Sequence, residues 1–262
     1  MNNPHHQAAV RELLTSVEAL LLQERELFGD TLLVERTAST GVQPAMPARS
    51  RTAKPAPELF GPAPTPRTTE PWETADTLDA MHRMVCDCMK CPLGATRTKF
   101  VFGIGNPRAT LMLIGEAPGA DEDAQGEPFV GKAGQLLNKI LEAIHFRREE
   151  VYICNILKCR PPNNRTPQAE EVEQCIPYLQ RQIGLIRPKV ILCLGLTAAQ
   201  NLLKTSESLG RLRGRTLTYE GTPLMVTYHP AALLRNPNWK RPAWEDVQAV
   251  RKLHDDLVAR QA

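Results

Sequence analysis

The run Leu111–Ile114 passes directly into GEAPGADEDAQGEPFVGKAGQLL at 115–137, and no other stretch of the 262 residues restricts the fold so strongly. Four consecutive apolar residues ending in a Gly- and Pro-rich segment read as a buried strand and its turn, and helical spacing follows from about Lys132. Strand, turn and helix in that order present backbone N–H groups and a few side chains at the carboxyl end of a sheet, where α/β proteins bind ligands. A phosphate cradle is one reading of such a turn. Glu116, Asp121, Glu122, Asp123 and Glu127, however, place five carboxylates in it, and these would repel a polyanion. The same segment also reads as an ordinary tight turn with a solvated acidic rim.

Three further apolar runs, at 151–156, 190–194 and 224–228, are separated by stretches of helical periodicity at 132–144, 167–186, 197–203 and 244–258; another helix is read at 76–85. Short β-rich runs alternating with helices predict an α/β fold of three layers, α/β/α, around a central four-stranded parallel sheet. Glu116, Asn155, Gly195 and His229 stand at the ends of the four runs. The carboxyl ends of such strands converge, so Glu116, Asn155 and His229 are expected to face one pocket.

Ahead of this domain, Val10, Leu13, Leu14, Val17, Leu20 and Leu21 recur at helical spacing, which predicts an amphipathic helix within 1–35. Eight prolines between Pro44 and Pro71 mark 36–73 as a semi-rigid, largely disordered linker, and the globular domain is expected over 74–262. The arm is read as a tether or as a partner-binding segment. No apolar run reaches the ~18 residues of a membrane span, and MNNPHHQAAVRELL lacks a signal-peptide core, which predicts a cytoplasmic protein without membrane association. A monomer is expected. The net charge of +3 permits nucleic-acid binding without demanding it.

Seven cysteines in such a chain are not read as a disulfide framework. Cys88 and Cys91 are spaced C-x2-C, whereas Cys159 and Cys175 are separated by fifteen residues in KCRPPNNRTPQAEEVEQC. The wide second pair suits an iron–sulfur cubane at least as well as zinc, and unrelated buried thiols remain an alternative. Cys86 competes with Cys88 for register. Cys154 and Cys193 fall inside apolar runs and read as core thiols.

Taken together, GEAPG at 115–119, EPFVGKAGQLL at 127–137, NILKCRPPNNRTP at 155–167 and HPAALLRNP at 229–237 resemble family 4 of the uracil-DNA glycosylases, the iron–sulfur members of that superfamily. The resemblance runs from about Leu78 to Leu257. It implies a four-stranded parallel sheet between helices, a [4Fe-4S] cluster on Cys88, Cys91, Cys159 and Cys175 with Cys86 left out, removal of uracil from single- or double-stranded DNA, and a repair or replication partner as what the N-terminal arm would dock. It also places Gly115, Ala117, Gly119 and Glu122 in the substrate loop. The motif position that carries a water-orienting carboxylate in the best-known branch of the superfamily is Ala117 here. The position of that branch's thymine-excluding Tyr is Gly119, which leaves Glu122 as the candidate to reject a methyl group. Glu116 is expected on the opposite side of the extended segment from Ala117.

The chemistry of that reaction makes its own demands. Breaking the bond between deoxyribose and uracil N1 puts negative charge on the departing base, and the base must first leave the stack. Phe129 offers a stacking ring. The Asn155 amide offers a donor for O4 and an acceptor for N3–H, where cytosine presents the opposite pattern. The resemblance assigns His229 to uracil O2. Leu233 or Leu234 is the right kind of wedge for the gap left by a flipped base, and Arg235 and Arg213 belong to a basic cluster suited to phosphates. Two rival classes are an iron–sulfur electron carrier and a DNA-binding protein without activity. The first has no use for Phe129, Asn155 and His229 at separate strand ends.

Overall fold

The computed structural model describes residues 70–260. The helix expected within 1–35, and the expected linker up to residue 69, lie outside the described residues. Strands β1 (Ile104–Gly105), β2 (Leu111–Gly115), β3 (Tyr152–Asn155), β4 (Val190–Leu194), β5 (Leu217–Tyr219) and β6 (Thr222–Thr227) form one sheet in the order β1-β3-β2-β4-β6-β5. The four inner strands are mutually parallel and coincide with the four apolar runs. The expected four-stranded sheet is therefore the centre of a six-stranded one, closed on each side by an antiparallel edge strand. These edges span two and three residues, too short to leave a period in the sequence. On the β5 side, Glu220 and Gly221 both take positive φ, +47° and +83°, and make the two-residue turn into β6.

The helices are α1 (Leu78–Val85), α2 (Leu93–Thr96), α3 (Ala120–Gln125), α4 (Lys132–Ala143), α5 (Ala169–Ile186), α6 (Leu196–Leu203), α7 (Leu209–Leu212), α8 (Pro230–Arg235) and α9 (Lys240–Ala259). Alternate residues of the inner strands pack to opposite faces, as the period of two requires. Met112, Ile114, Cys193 and Val226 meet Met81 of α1 and Leu179 of α5 on one face. Leu111, Leu113, Leu192 and Met225 meet Leu137 of α4 and Val250 of α9 on the other. Three layers result, with a separate apolar core on each side of the sheet.

Two local outcomes depart from the sequence reading. The acidic turn after β2 contains a helix, α3, whose first turn carries Asp121, Glu122 and Asp123, where negative charge complements the exposed N–H groups of a helix start. The packed chain also begins before residue 74. Trp72, in the stretch read as linker, is 6% exposed and stands edge-on to Tyr178 of α5 at 4.7 Å. Among the described residues, no helix is long and apolar enough to cross a membrane.

Candidate active site

Parallel pairing sets Gly115 of β2 directly beside Asn155 of β3, and β6 ends two residues before His229. A cavity of about 340 Å³ opens at these strand ends, within the usual size of a small-molecule site. Glu116, Phe129, Asn155 and His229 all line it, as do Ala117, Gly119, Glu122 and Arg235. The convergence expected of the strand ends is thus present.

Phe129 is the base of the cavity. Its φ of +55° is unusual for an aromatic residue, and the surrounding chain enforces it. Gly134 makes the close approach: a Cβ there would lie 1.8 Å from the Phe129 carbonyl oxygen. Glu122 ties the turn together, its Oε1 accepting from the N–H groups of Val130 (2.9 Å) and Gly131 (3.0 Å) and its Oε2 from that of Gly119 (3.1 Å). Arg148 donates to the Pro128 carbonyl at 2.5 Å from behind. Glu122 lines the cavity, and both its carboxylate oxygens are engaged by backbone, so it is a clamp on the loop.

Asn155 is 2% exposed, and its Oδ1 has no hydrogen-bond partner. A buried amide oxygen left unpaired costs roughly 1–3 kcal/mol, so such an atom at a cavity wall marks a place kept for a ligand. Gly115 is glycine for the same reason: a Cβ would fall 2.4 Å from Asn155 Oδ1 and 2.6 Å from Phe129 Cζ. Lys158, fully buried, holds the Asn155 backbone by donating to its carbonyl at 2.8 Å, with Gln182 Oε1 as second acceptor at 2.7 Å. Sequence reasoning missed Lys158; a lone lysine at the end of the apolar run of β3 was the available signal.

The His229 ring stacks on Phe129, with centroids 5.5 Å apart and planes 30° apart. Its Nδ1 accepts the Ala231 N–H at 3.1 Å, which puts the proton of the neutral ring on Nε2. Burial pushes its pKa down to about 4, and the Arg235 charge acts in the same direction against an opposing pull from Glu122. The ring is a neutral donor at physiological pH. Gly195, with φ +96°, lets the two chains pass, since a Cβ there would sit 3.1 Å from His229 Cβ. Glu116 and Ala117 both line the cavity, and the chain bends at Glu116 directly after β2 ends at Gly115. No hydrogen bond holds its carboxylate among the described residues.

Of the residues assigned to DNA, Leu234 is 48% exposed and Leu233 is 2% exposed. The short helix α8 turns these neighbours to different sides, so only Leu234 is available as a wedge. Arg235 is exposed and reaches the cavity rim. Arg213 is instead held inside by an ion pair to Asp246 (Nε–Oδ2 2.6 Å) and a hydrogen bond to the Pro242 carbonyl (2.6 Å), which removes it from the phosphate candidates.

Cys88, Cys91, Cys159 and Cys175 share one electrostatic neighbourhood beyond the carboxyl end of β3, where Cys159 feels Cys91 and Cys88, and Cys175 feels Cys159 and Cys91. Three of the four sulfurs face a donor: Tyr178 O–H at Cys88 (3.2 Å), Arg97 at Cys159 (3.5 Å) and the Lys158 N–H at Cys175 (3.3 Å). Burial raises the Cys159 thiol to about 11 and the Cys175 thiol to about 12. Cys86 turns its sulfur to the Arg83 carbonyl, and Cys154 and Cys193 are fully buried in strands, so none of the three joins the group. No three His, Cys, Asp or Glu side chains among the described residues form a group that could hold a single metal ion.

A family model described as the uracil DNA glycosylase superfamily matches residues 102–248, a span that includes every cavity residue named above. The chain belongs to the uracil DNA glycosylase superfamily. Within it, the chain is 45% identical over 186 residues to the type-4 uracil-DNA glycosylase of Archaeoglobus fulgidus, a match covering 68% of this chain and 94% of that one. It is 41% identical over 180 residues to the type-4 uracil-DNA glycosylase of Thermotoga maritima, covering 67% and 94%. A type-5 uracil-DNA glycosylase of Pyrobaculum aerophilum is more distant, at 30% identity over 146 residues. The cavity lies where the sequence motifs meet, and Asn155, Phe129 and His229 are brought together around it.

Proposed function

We propose that the protein hydrolyses the N-glycosidic bond of uracil in DNA, leaving an abasic site, as the first step in repair of deaminated cytosine. The observation that carries this reading is the unpartnered Oδ1 of Asn155, buried beside a stacking ring and a neutral imidazole N–H. The uracil leaves the DNA stack and lies on Phe129. Asn155 Oδ1 accepts N3–H while its amide N–H donates to O4; cytosine offers the reverse pattern and is rejected. His229 donates from Nε2 to O2.

The bond from C1′ to N1 then breaks, its electron pair moving onto the base. Negative charge grows on the oxygens that face the His229 and Asn155 donors, and interactions that strengthen as charge develops lower the barrier. Water adds to C1′ and gives up a proton, and the freed uracil takes one up. Glu116 stands on the cavity wall to orient that water, but nothing fixes its carboxylate in advance, so its contribution is the smaller one. The exposed Leu234 fills the gap in the duplex, and Arg235 meets a phosphate.

Cys88, Cys91, Cys159 and Cys175 would hold a [4Fe-4S] cluster. The donor set fits, being all thiols, with hydrogen-bond donors at three sulfurs and a buried Lys158 beside Cys175 to balance thiolate charge. The cluster would act as a staple between the loop after α1, the loop after β3 and α5. Incubation of the protein with uracil-containing single-stranded DNA, followed by an assay for abasic sites, tests the reading: cleavage at uracil supports it, and an intact strand with iron-loaded protein refutes it.

A further inference from the structure

Three aromatic and cationic groups form a column beside the active site that base excision leaves unused. The Arg213 guanidinium lies 4.4 Å from the centre of the Tyr228 ring, and Trp239 stacks on Tyr228 with centroids 5.0 Å apart and planes 13° apart. The foot of the column is rigid. Asp246, 3% exposed, accepts from Arg213 and also from the Thr227 hydroxyl at 2.7 Å. The head is in water, with Trp239 39% exposed while Trp72 and Trp244 are buried. Tyr228 directly precedes His229, and Trp239 follows the exposed wedge candidate Leu234 by five residues.

We propose that Trp239 is a stacking site for an unpaired nucleobase flanking the flipped uracil, giving the protein a grip on single-stranded DNA. An exposed indole propped from beneath by a second ring and a guanidinium has lost little entropy left to lose, and every base offers it a π face. The exposed Arg235 on one side and Arg241 on the other supply charge for the flanking phosphates. The proposal rests on the base-excision reading for its ligand.

The test uses the full chain and a short oligodeoxythymidylate without uracil. Because Trp239 is the exposed one of the chain's three tryptophans, its stacking is readable as quenching of intrinsic fluorescence. Saturable quenching is expected in the unchanged protein and its loss in Trp239→Phe, which keeps a ring but removes the reporter. Trp239→Ala should raise KM for single-stranded uracil substrate on the order of tenfold with kcat and melting temperature unchanged, and Trp239→Phe should restore KM. Quenching that persists in Trp239→Phe, or an unchanged KM in Trp239→Ala, overturns the proposal. If uracil is excised without Trp239-dependent quenching, only the stacking site fails; if quenching occurs and no uracil is excised, the failure belongs to the base-excision reading.

Discussion

The cavity and the cysteine corner lie at the same end of β3, Asn155 and Cys159 being four positions apart along the chain, and they treat polar groups in opposite ways. At the cavity, the buried Asn155 Oδ1 and the half-buried Glu116 carboxylate have no hydrogen-bond partner among the described residues. At the corner, the sulfurs of Cys88, Cys159 and Cys175 each face a donor, and Arg97 also binds the carbonyls of Cys86 (2.9 Å) and Cys88 (2.5 Å). An unsatisfied buried acceptor at a cavity wall suits a ligand that comes and goes, whereas a satisfied one suits a permanent occupant. Lys158 joins the two regions, its N–H at Cys175 and its ammonium at the Asn155 carbonyl.

Substitutions can break each side of this comparison separately. The largest effect on excision belongs to Gly115→Ala, whose new methyl group would strike Asn155 Oδ1 and Phe129 Cζ. Both are tips of side chains, so the fold should survive while excision falls at least a hundredfold, or about 2.7 kcal/mol; single-turnover rates beside a melting curve and iron content check this. A chain starting at Thr74 should lose stability by about 3–5 kcal/mol through the absent Trp72, whereas one starting at Glu70 should not, as chemical denaturation will show. Tyr178→Phe removes one donor from Cys88 and should cost about 1 kcal/mol with the excision rate unchanged. The smallest effect is that of Arg235→Ala, which should reduce the slope of log affinity against log salt by about one, measured by DNA titration.

Protonation separates the regions as well. The His229 pKa is lowered in the fold, to about 4 from an ordinary 6.5. Its neutral form therefore stabilises the protein fully above pH 6.5, and this contribution is lost as pH falls toward 4. Excision that depends on a neutral Nε2 donor should show no inflection from His229 between pH 6 and 8.

The inner strands were legible because four apolar runs, each buried on both faces, leave a dense signal in sequence. Asn155 and His229 were legible through their place at the ends of those runs and through the family resemblance. What escaped depends on distant partners. Arg213 reads as a surface cation until Asp246, thirty-three residues on, is folded against it. Leu233 and Leu234 are identical in kind, and only the docking of α8 decides which is buried. Glu122 looks like one more acidic rim residue until three backbone N–H groups converge on it.

The central claim is that hydrogen bonds to the departing base outweigh activation of water. Single-turnover excision by His229→Ala, Asn155→Ala and Glu116→Gln, at one pH and with iron content verified in each, tests it most directly. Losses on the order of a hundredfold or more for the first two, and a distinctly smaller loss for Glu116→Gln, are predicted. A nearly silent His229→Ala beside a severe Glu116→Gln would contradict the account and make Glu116 the general base.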